Sequence, residues 1–299
     1  MSVIVNIKQR NIGKKKISFK KFEELLDKHN FSYGISNTIY VTENYNGKNN
    51  IKEKYFVVYS NNYGRGFTFY LDKKDNVELS LNIPATKNDI KEFYEFTETI
   101  CDYFKTNKFI QDGVEENLSK ITELIEKMEV FSENTLVHFC KEMDSITIFS
   151  CTYPIVFETD KVKEILENDH KLDIFEKYIQ EKSKMDCYYA KPIVYKDKEE
   201  NYFAMYAITQ DCTTIIPIKA EIPFGYSLPK GIEITSYNVN IGRLNGENYD
   251  TVTELAFEEF QNKLNFEKLE KFDEKHVILR LDKDNVTKLE QESNNIKTQ

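Results

Sequence analysis

The stretch from Val77 to Asn107 carries the strongest local signals for secondary structure in this chain. Val77, Leu79 and Leu81 alternate with polar residues, which is the pattern of a strand with one buried face. Pro84 follows at once and ends that strand, because proline has no amide to donate to a sheet. The rest of the chain has to pack around this strand and the segment that follows it.

A helix is predicted directly after this strand. Thr86 can accept a hydrogen bond from the amide of Asp89 while the Asp89 carboxylate reaches back to the amide of Thr86, which is a capping box. Phe96 and Tyr103 lie off the main apolar side of this helix, so we expect a second element to cover them. The main apolar residues recur at steps of three and four and predict one buried stripe, made of Ile90, Phe93, Tyr94, Thr97, Ile100, Cys101 and Phe104.

The order of strand and helix patterns predicts an α+β fold with two antiparallel β-meander units, a long central helix and a helical middle segment. We expect an N-terminal α+β unit (1–110), a helical connecting segment (111–185) and a C-terminal α+β unit (186–299). No linker rich in Gly, Ser or Pro separates the β-rich parts, so they are expected to pack together. A duplication stays open. Strands are predicted at 3–7, 38–42, 54–60, 67–71, 77–81, 187–195, 202–209, 213–218, 232–239 and 277–281.

Three further local predictions concern helices. Apolar spacing predicts separate amphipathic helices near 118–128 and 136–143. Thr251 and Glu254 have the spacing of a second capping box and predict that a helix opens there. The tail from Asn285 is expected to be partly frayed.

Charge argues against nucleic acid as the main partner. The formal net charge is −9, and the first 30 residues contain eight basic and three acidic residues, so the remaining residues carry −14. An acidic surface repels phosphate backbones. Nucleic-acid binding through the basic stretch Lys14 to Lys21 is therefore the least favoured of the three functional hypotheses considered for this chain.

The cysteines and the hydropathy exclude several other classes. The five cysteines are scattered, and none forms a CxxC pair, so neither a disulfide framework nor a zinc site is predicted. The apolar runs are far shorter than the ~18 residues that cross a bilayer, and no signal-peptide pattern opens the chain. We expect a cytoplasmic protein without metal or cofactor.

No standard catalytic motif is present. This favours a non-enzymatic protein but does not exclude an enzyme. The sequence has no GxSxG elbow, Walker loop, GxGxxG after a strand or HExxH. The four histidines, His29, His138, His170 and His276, are isolated, so a structural role is expected for each rather than a catalytic one.

Two arginines beside glycines are the first candidate binding residues. Arg65 lies between Gly64 and Gly66, and Arg243 follows Gly242. Glycine lets the backbone approach a ligand closely, and a guanidinium can bind a carboxylate or phosphate with two hydrogen bonds. The competing interpretation is that both arginines are exposed turn residues.

Tyrosines on the second β-rich part are the other candidates. Tyr188 and Tyr189 could line a groove together with Tyr195, Tyr202 and Tyr206. Tyrosines on paired strands also pack against each other across a sheet, and the sequence leaves both interpretations open.

Several segments resemble one known family when they are taken together: MSVIVNIK, ELSLNIPATKNDIKEFYEFTETIC, DCYYAKPIVY and IIPIKAEIPFGY. The chain is similar to an uncharacterised family of bacterial proteins of about this length, common in Gram-positive and related lineages and catalogued as a domain of unknown function. The resemblance implies a cytoplasmic bacterial protein. It transfers no catalytic residue.

These observations favour a non-enzymatic protein-interaction module with an acidic surface. An acidic surface suggests a basic protein partner, and an immunity-like or inhibitor-like role against a nucleic-acid-handling protein would fit. The alternative is an enzyme or small-ligand binder whose site is built from distant residues near Arg65 or Arg243. No oligomeric state follows from the sequence.

Overall fold

The structure is a computed structural model that describes residues 1–9, 13–36, 42–43, 50–223, 228, 231–246 and 248–297. The chain divides into two compact units, Met1–Lys184 and Met185–Gln299. The three-part division expected from the sequence, with boundaries after 110 and 185, stays a prediction. Among the described residues, no helix combines the length and the apolar character needed to cross a bilayer.

One antiparallel sheet forms the frame of the first unit. Its order is β3, β2, β4, β5, β6, β1, β7, β8, so the first strand of the chain lies between the sixth and the seventh. The expected strand at 38–42 lies mostly outside the described residues. The strands are β1 (Ser2–Ile7), β2 (Ser32–Ser36), β3 (Thr42–Glu43), β4 (Tyr55–Tyr59), β5 (Phe67–Leu71), β6 (Val77–Asn82), β7 (Lys108–Gln111) and β8 (Val114–Asn117).

Two helices cover one face of this sheet, α1 (Phe19–Asp27) and α2 (Lys87–Phe104). The capping box predicted for α2 is confirmed, because the Thr86 hydroxyl accepts from the Asp89 amide at 3.0 Å and the Asp89 carboxylate accepts from the Thr86 amide at 3.2 Å. Phe96 is fully buried, but its ring contacts Phe67 of β5 at 5.5 Å between centroids, and Phe93 of the main stripe contacts the same ring at 5.9 Å, so Phe96 packs on the sheet together with the main stripe instead of under a separate element.

The rest of the first unit is mainly helical, with α3 (Ile121–Glu142), α4 (Thr159–Glu167) and α5 (Lys171–Ser183). A short antiparallel pair, β9 (Thr147–Phe149) and β10 (Pro154–Val156), separates α3 from α4. The expectation of two separate helices near 118–128 and 136–143 is wrong, because α3 is continuous through the intervening residues.

The second unit contains two four-stranded sheets and two helices. One sheet has the order β11, β14, β18, β17 and the other has the order β12, β13, β15, β16. The elements are β11 (Tyr188–Tyr189), β12 (Ile193–Lys196), β13 (Tyr202–Thr209), β14 (Thr213–Pro217), β15 (Ile234–Asn245), β16 (Asn248–Ala256), α6 (Phe257–Leu264), β17 (Glu270–Lys271), β18 (His276–Arg280) and α7 (Lys283–Lys297).

The α+β class is confirmed, but the second unit is not a simple antiparallel meander. The pairs β11–β14 and β13–β15 are parallel. Parallel neighbours need a crossover connection. Here the chain leaves β13, forms β14 in the other sheet, and later enters β15 in the direction of β13.

The helix predicted to open at Thr251 is also wrong. Residues 251–256 belong to β16, and α6 begins at Phe257. Thr253 and Leu255 are buried while Glu254 and Ala256 are exposed, so burial alternates as in a strand. Pairing with β15 therefore overrides the local capping pattern.

The C-terminal tail differs from its expectation as well. Residues 283–297 form α7 instead of a frayed segment. Val286 and Leu289 are buried in the core of the second unit, and this burial holds the helix in place.

Candidate functional site

Arg65, the first predicted binding residue, is buried and bonded internally. Its guanidinium donates from Nε to the carbonyl of Phe149 at 3.0 Å and from Nη1 to the carbonyls of Asn82, at 3.2 Å, and Pro84. Burial lowers the pKa of Arg65 to about 10, and the nearby Asp89 carboxylate acts in the opposite direction. The side chain thus cross-links β9, the end of β6 and the start of α2.

The glycines around Arg65 serve the same internal arrangement. The Asp89 carboxylate accepts from the amides of Arg65 at 3.0 Å and Gly66 at 2.8 Å. A Cβ on Gly64 would lie 2.4 Å from one oxygen of this carboxylate, and Gly66 has φ +68°. The close approach is therefore to Asp89 at Gly64 and to the Val58 carbonyl at Gly66, and the external ligand predicted for Arg65 stays a prediction.

Arg243, the second predicted arginine, lies half-exposed on β15. Its Nε donates to the Gln210 side chain at 2.9 Å, its Nη2 donates to the Thr287 hydroxyl at 3.4 Å, and Nη2 lies 3.7 Å from a Glu290 oxygen. These contacts join β15 to the turn after β13 and to α7. Such an exposed ion pair contributes little stability.

Gly242 leaves space for the aromatic ring of Tyr249. A Cβ at Gly242 would meet the Tyr249 ring at 2.3 Å. The Tyr249 hydroxyl lies within donating distance of the carbonyls of Ile208, at 3.1 Å, and Asn240, at 3.0 Å. The ring therefore lies flat across the strand, which only a residue without a side chain permits.

Tyr188 and Tyr189 are neighbours on β11 but differ in environment. Tyr188 is exposed, whereas Tyr189 is buried and its hydroxyl lies 3.0 Å from Nε2 of His276. Nδ1 of His276 lies 2.8 Å from the carboxylate of Asp273. Because an ionised carboxylate only accepts, Nδ1 donates to Asp273, which leaves Nε2 as the ring nitrogen that pairs with the Tyr189 hydroxyl.

The chain Asp273–His276–Tyr189 has the geometry by which a carboxylate orients a histidine towards a hydroxyl. Asp273 is fully buried, and both other side chains are nearly so. The Asp273 oxygen also accepts from the amides of Lys275 and His276, both at 2.9 Å, which fixes the turn before β18. These contacts give the three residues a structural role.

A cavity of about 330 Å³ lies near this turn. Its charged side chains include an ion pair of 3.6 Å between Lys275 and Glu221. Its lining does not include Tyr189, His276, Tyr188 or Arg243, so the predicted tyrosines and arginine do not converge on it. The lining residues are Ile218, Lys219, Glu221, Glu274 and Lys275.

The buried thiols are poor nucleophiles. Burial raises the pKa of Cys101 to about 12 and that of Cys140 to about 11, and it also raises the pKa of Cys151. A thiol with a raised pKa carries little thiolate at neutral pH. Among the residues that the structure describes, no three His, Cys, Asp or Glu side chains are grouped so that they could hold a metal ion.

The outward side of α3 is a surface that the sequence analysis did not identify. Val130 is 62% exposed and Phe131 is 39% exposed in the middle of this helix. Glu126 and Glu133, one turn before and after Val130, flank the apolar pair. We call these four residues the α3 outer face. The opposite side of α3 is buried through Ile121, Leu124, Met128, Ser132, Thr135, Leu136 and Cys140.

The only available signal for this surface was the position of the apolar pair. Val130 falls outside the steps of three and four that join Leu124, Met128 and Leu136, and this offset places it on the solvent side once the helix is continuous. Phe131, three residues after Met128, lies at the edge of the buried stripe and is 39% exposed.

Comparison with known proteins identifies one family. The family described as "Domain of unknown function (DUF4299)" matches residues 2–289. The match covers nearly all of the chain, so the chain belongs to this family, and the expected resemblance is confirmed. No curated protein and no solved structure matches it.

Proposed function

We propose that this DUF4299 protein is a non-enzymatic interaction module that binds a basic protein partner through the α3 outer face. The observation that carries the proposal is the exposed pair Val130 and Phe131 between Glu126 and Glu133. We place the protein in the bacterial cytoplasm, where an immunity-like or inhibitor-like role would use such a surface.

The apolar pair supplies the anchor of the proposed interface. Burying a Val or Phe side chain contributes about 1.5–3 kcal/mol. Large apolar residues at the centre of a contact, enclosed by a polar rim, supply most of the affinity of typical protein interfaces. Val130 lies at the centre of the α3 outer face, and its glutamates form such a rim.

The charge distribution supports a basic partner. Residues 87–184 contain 13 Lys or Arg and 22 Asp or Glu, a net charge of −9, whereas the rest of the chain has 28 of each. The whole net charge of the protein thus lies in the segment that contains α2 to α5. Such a field accelerates the association of an oppositely charged protein and weakens as salt rises.

The alternative of a small-ligand site at Arg65 or Arg243 has less support. The guanidinium of Arg65 is turned to backbone carbonyls, and Arg243 is bonded to three side chains of its own unit. Neither arginine lines the cavity of about 330 Å³.

The test begins with capture of the partner and continues with matched variants. The tagged protein is used to recover proteins from a lysate of the native cell at low and at high salt, and the basic protein recovered is then purified. Its affinity is measured for the wild type, for Glu126→Lys/Glu133→Lys and for Val130→Lys. The controls are Glu167→Lys/Asp169→Lys, which changes the net charge equally on α4 and the loop after it, and Val114→Lys, at a valine that is 59% exposed on β8.

The expected result is a loss of affinity of at least tenfold for both α3 variants at low salt, which is about 1.4 kcal/mol, with the controls close to wild type. A partner that binds all five proteins equally, or whose affinity does not change with salt, would contradict the proposal. Recovery of an acidic partner would contradict the charge argument on its own.

A further inference from the structure

The strand β12 forms one edge of its sheet and pairs only with β13 among the described residues. Ile193 is paired with Met205 and Tyr195 with Phe203. The Asp197 amide donates to the Asn201 carbonyl at 2.9 Å, which sets the alternation of hydrogen bonds along the hairpin. The amides and carbonyls of Ile193 and Tyr195 therefore face β13, and those of Val194 and Lys196 face outwards.

The side chains of β12 distinguish this edge from two others. Charged residues occupy both of those edges: on β8 Glu115 is exposed and Glu116 is half-buried, and on β17 Glu270 and Lys271 are exposed. Charged edges discourage pairing with another chain. On β12 two apolar or aromatic residues are exposed, Ile193 at 52% and Tyr195 at 43%, whereas β8 has one such residue, Val114, and β17 has none.

We propose that β12 pairs antiparallel with β12 of a second copy of this chain, so that two four-stranded sheets join across a two-fold axis. In the register that uses both outward residues, Val194 lies opposite the partner's Lys196, and Tyr195 lies opposite the partner's Tyr195. An isologous contact of this kind is closed and gives a dimer. The proposed contact uses none of the residues of the α3 outer face.

The side chains on and beside the strand fit this register. Tyr195 stacks on Phe203 with ring centroids 5.6 Å apart. In the proposed dimer the same pair of rings from the second copy lies next to this stack, across the two-fold axis. The charge of Lys196 is balanced within its own chain by Glu200 at 2.7 Å.

The size of the contact limits its strength. Four residues per chain bury much less than the ~1,200 Å² of a standard interface. The geometry points to a dimer that forms at high protein concentration, with a dissociation constant on the order of 10–100 μM.

Sedimentation of the whole chain from about 10 μM to about 0.5 mM tests the dimer. The wild type is expected to move from the 35.3 kDa of one chain towards twice that mass. Val194→Pro removes an outward amide that β13 does not use, and its dissociation constant should rise at least tenfold. The matched variant Val194→Ala keeps that amide and should dimerise as the wild type does.

A second measurement tests the register and does not depend on how well the proline variant folds. In a Cys187→Ser/Cys212→Ser background, Tyr195→Cys places two thiols across the axis, where oxidised glutathione should link them as a disulfide. Val194→Cys faces Lys196 and should stay unlinked. A wild type that is monomeric up to about 0.5 mM, or equal linking of both cysteine variants, overturns the proposal.

Discussion

The two arginines that follow glycines show how much one local pattern can differ in its surroundings. Arg65 is buried against carbonyls from β6, the start of α2 and β9, whereas Arg243 is half-exposed and pairs with side chains at the surface of the second unit. In both cases the neighbouring glycine gives room to a group of the protein itself. A Gly-Arg pattern therefore indicates close packing as readily as it indicates a ligand.

The largest effect is expected from Arg65→Ala. It leaves several buried carbonyls without a donor and Asp89 without a nearby positive charge, so the free energy of unfolding should fall by about 3–5 kcal/mol. Chemical denaturation of the whole chain measures this loss. Arg65→Lys keeps the positive charge but lacks the planar set of donors, so its free energy of unfolding should lie between those of the wild type and Arg65→Ala. A loss below about 1 kcal/mol for Arg65→Ala would remove the distinction between the two arginines.

The glycines give the second comparison. In Gly64→Ala the new Cβ meets a carboxylate that is held by hydrogen bonds from Arg65, Gly66 and Thr86, so we expect a loss of about 2–4 kcal/mol. In Gly242→Ala the Tyr249 ring can swing towards solvent, and the loss should be about 1 kcal/mol. Thermal unfolding of the two variants compares them directly, and an equal loss would contradict the argument.

A buried acid on α2, Glu92, is expected to make the first unit sensitive to pH. Glu92 accepts from the Asn62 side chain at 3.1 Å, and burial raises the pKa of Glu92 to about 7. The folded protein then binds a proton more tightly than the unfolded chain, so stability is lost as pH rises from about 4.5 through 7. The loss at pH 8 is on the order of 2–3 kcal/mol.

The variant Glu92→Gln tests the predicted loss of stability with rising pH. The variant should be more stable than the wild type at pH 8, and its stability should change less between pH 5 and 8 in denaturant titrations at both values. Glu254→Gln, at an exposed position on β16, is the control and should follow the wild type. Identical pH dependence of wild type and Glu92→Gln would show that the acid does not titrate in this range.

The smallest effect is expected from Arg243→Ala. Its side-chain partners are partly exposed and can turn to water, so the free energy of unfolding should fall by no more than about 1 kcal/mol. The same denaturation experiment as for Arg65→Ala applies. A loss above about 3 kcal/mol would place Arg243 in the class of Arg65.

Local patterns were reliable where neighbouring residues supply the interactions. The capping box of Thr86 and Asp89, the stripe of α2 and the alternation along β6 all follow from contacts within a few residues. At Thr251 and Glu254 the capping-box spacing did not predict the structure, since both residues pair with β15. Burial of Thr253 and Leu255 on one side of β16 stabilises the strand.

The sequence by itself determined the α+β class, the central strand and helix, and the family to which the chain belongs. Only the tertiary structure decided that Arg65 is buried, that β13 and β15 run parallel, and that Val130 and Phe131 face outwards. The Arg65 guanidinium meets Phe149, 84 positions along the chain, and His276 meets Tyr189 across 87 positions. Such partners are set by how the elements pack, because hydrogen bonding and burial at that separation leave no periodic signal in the sequence.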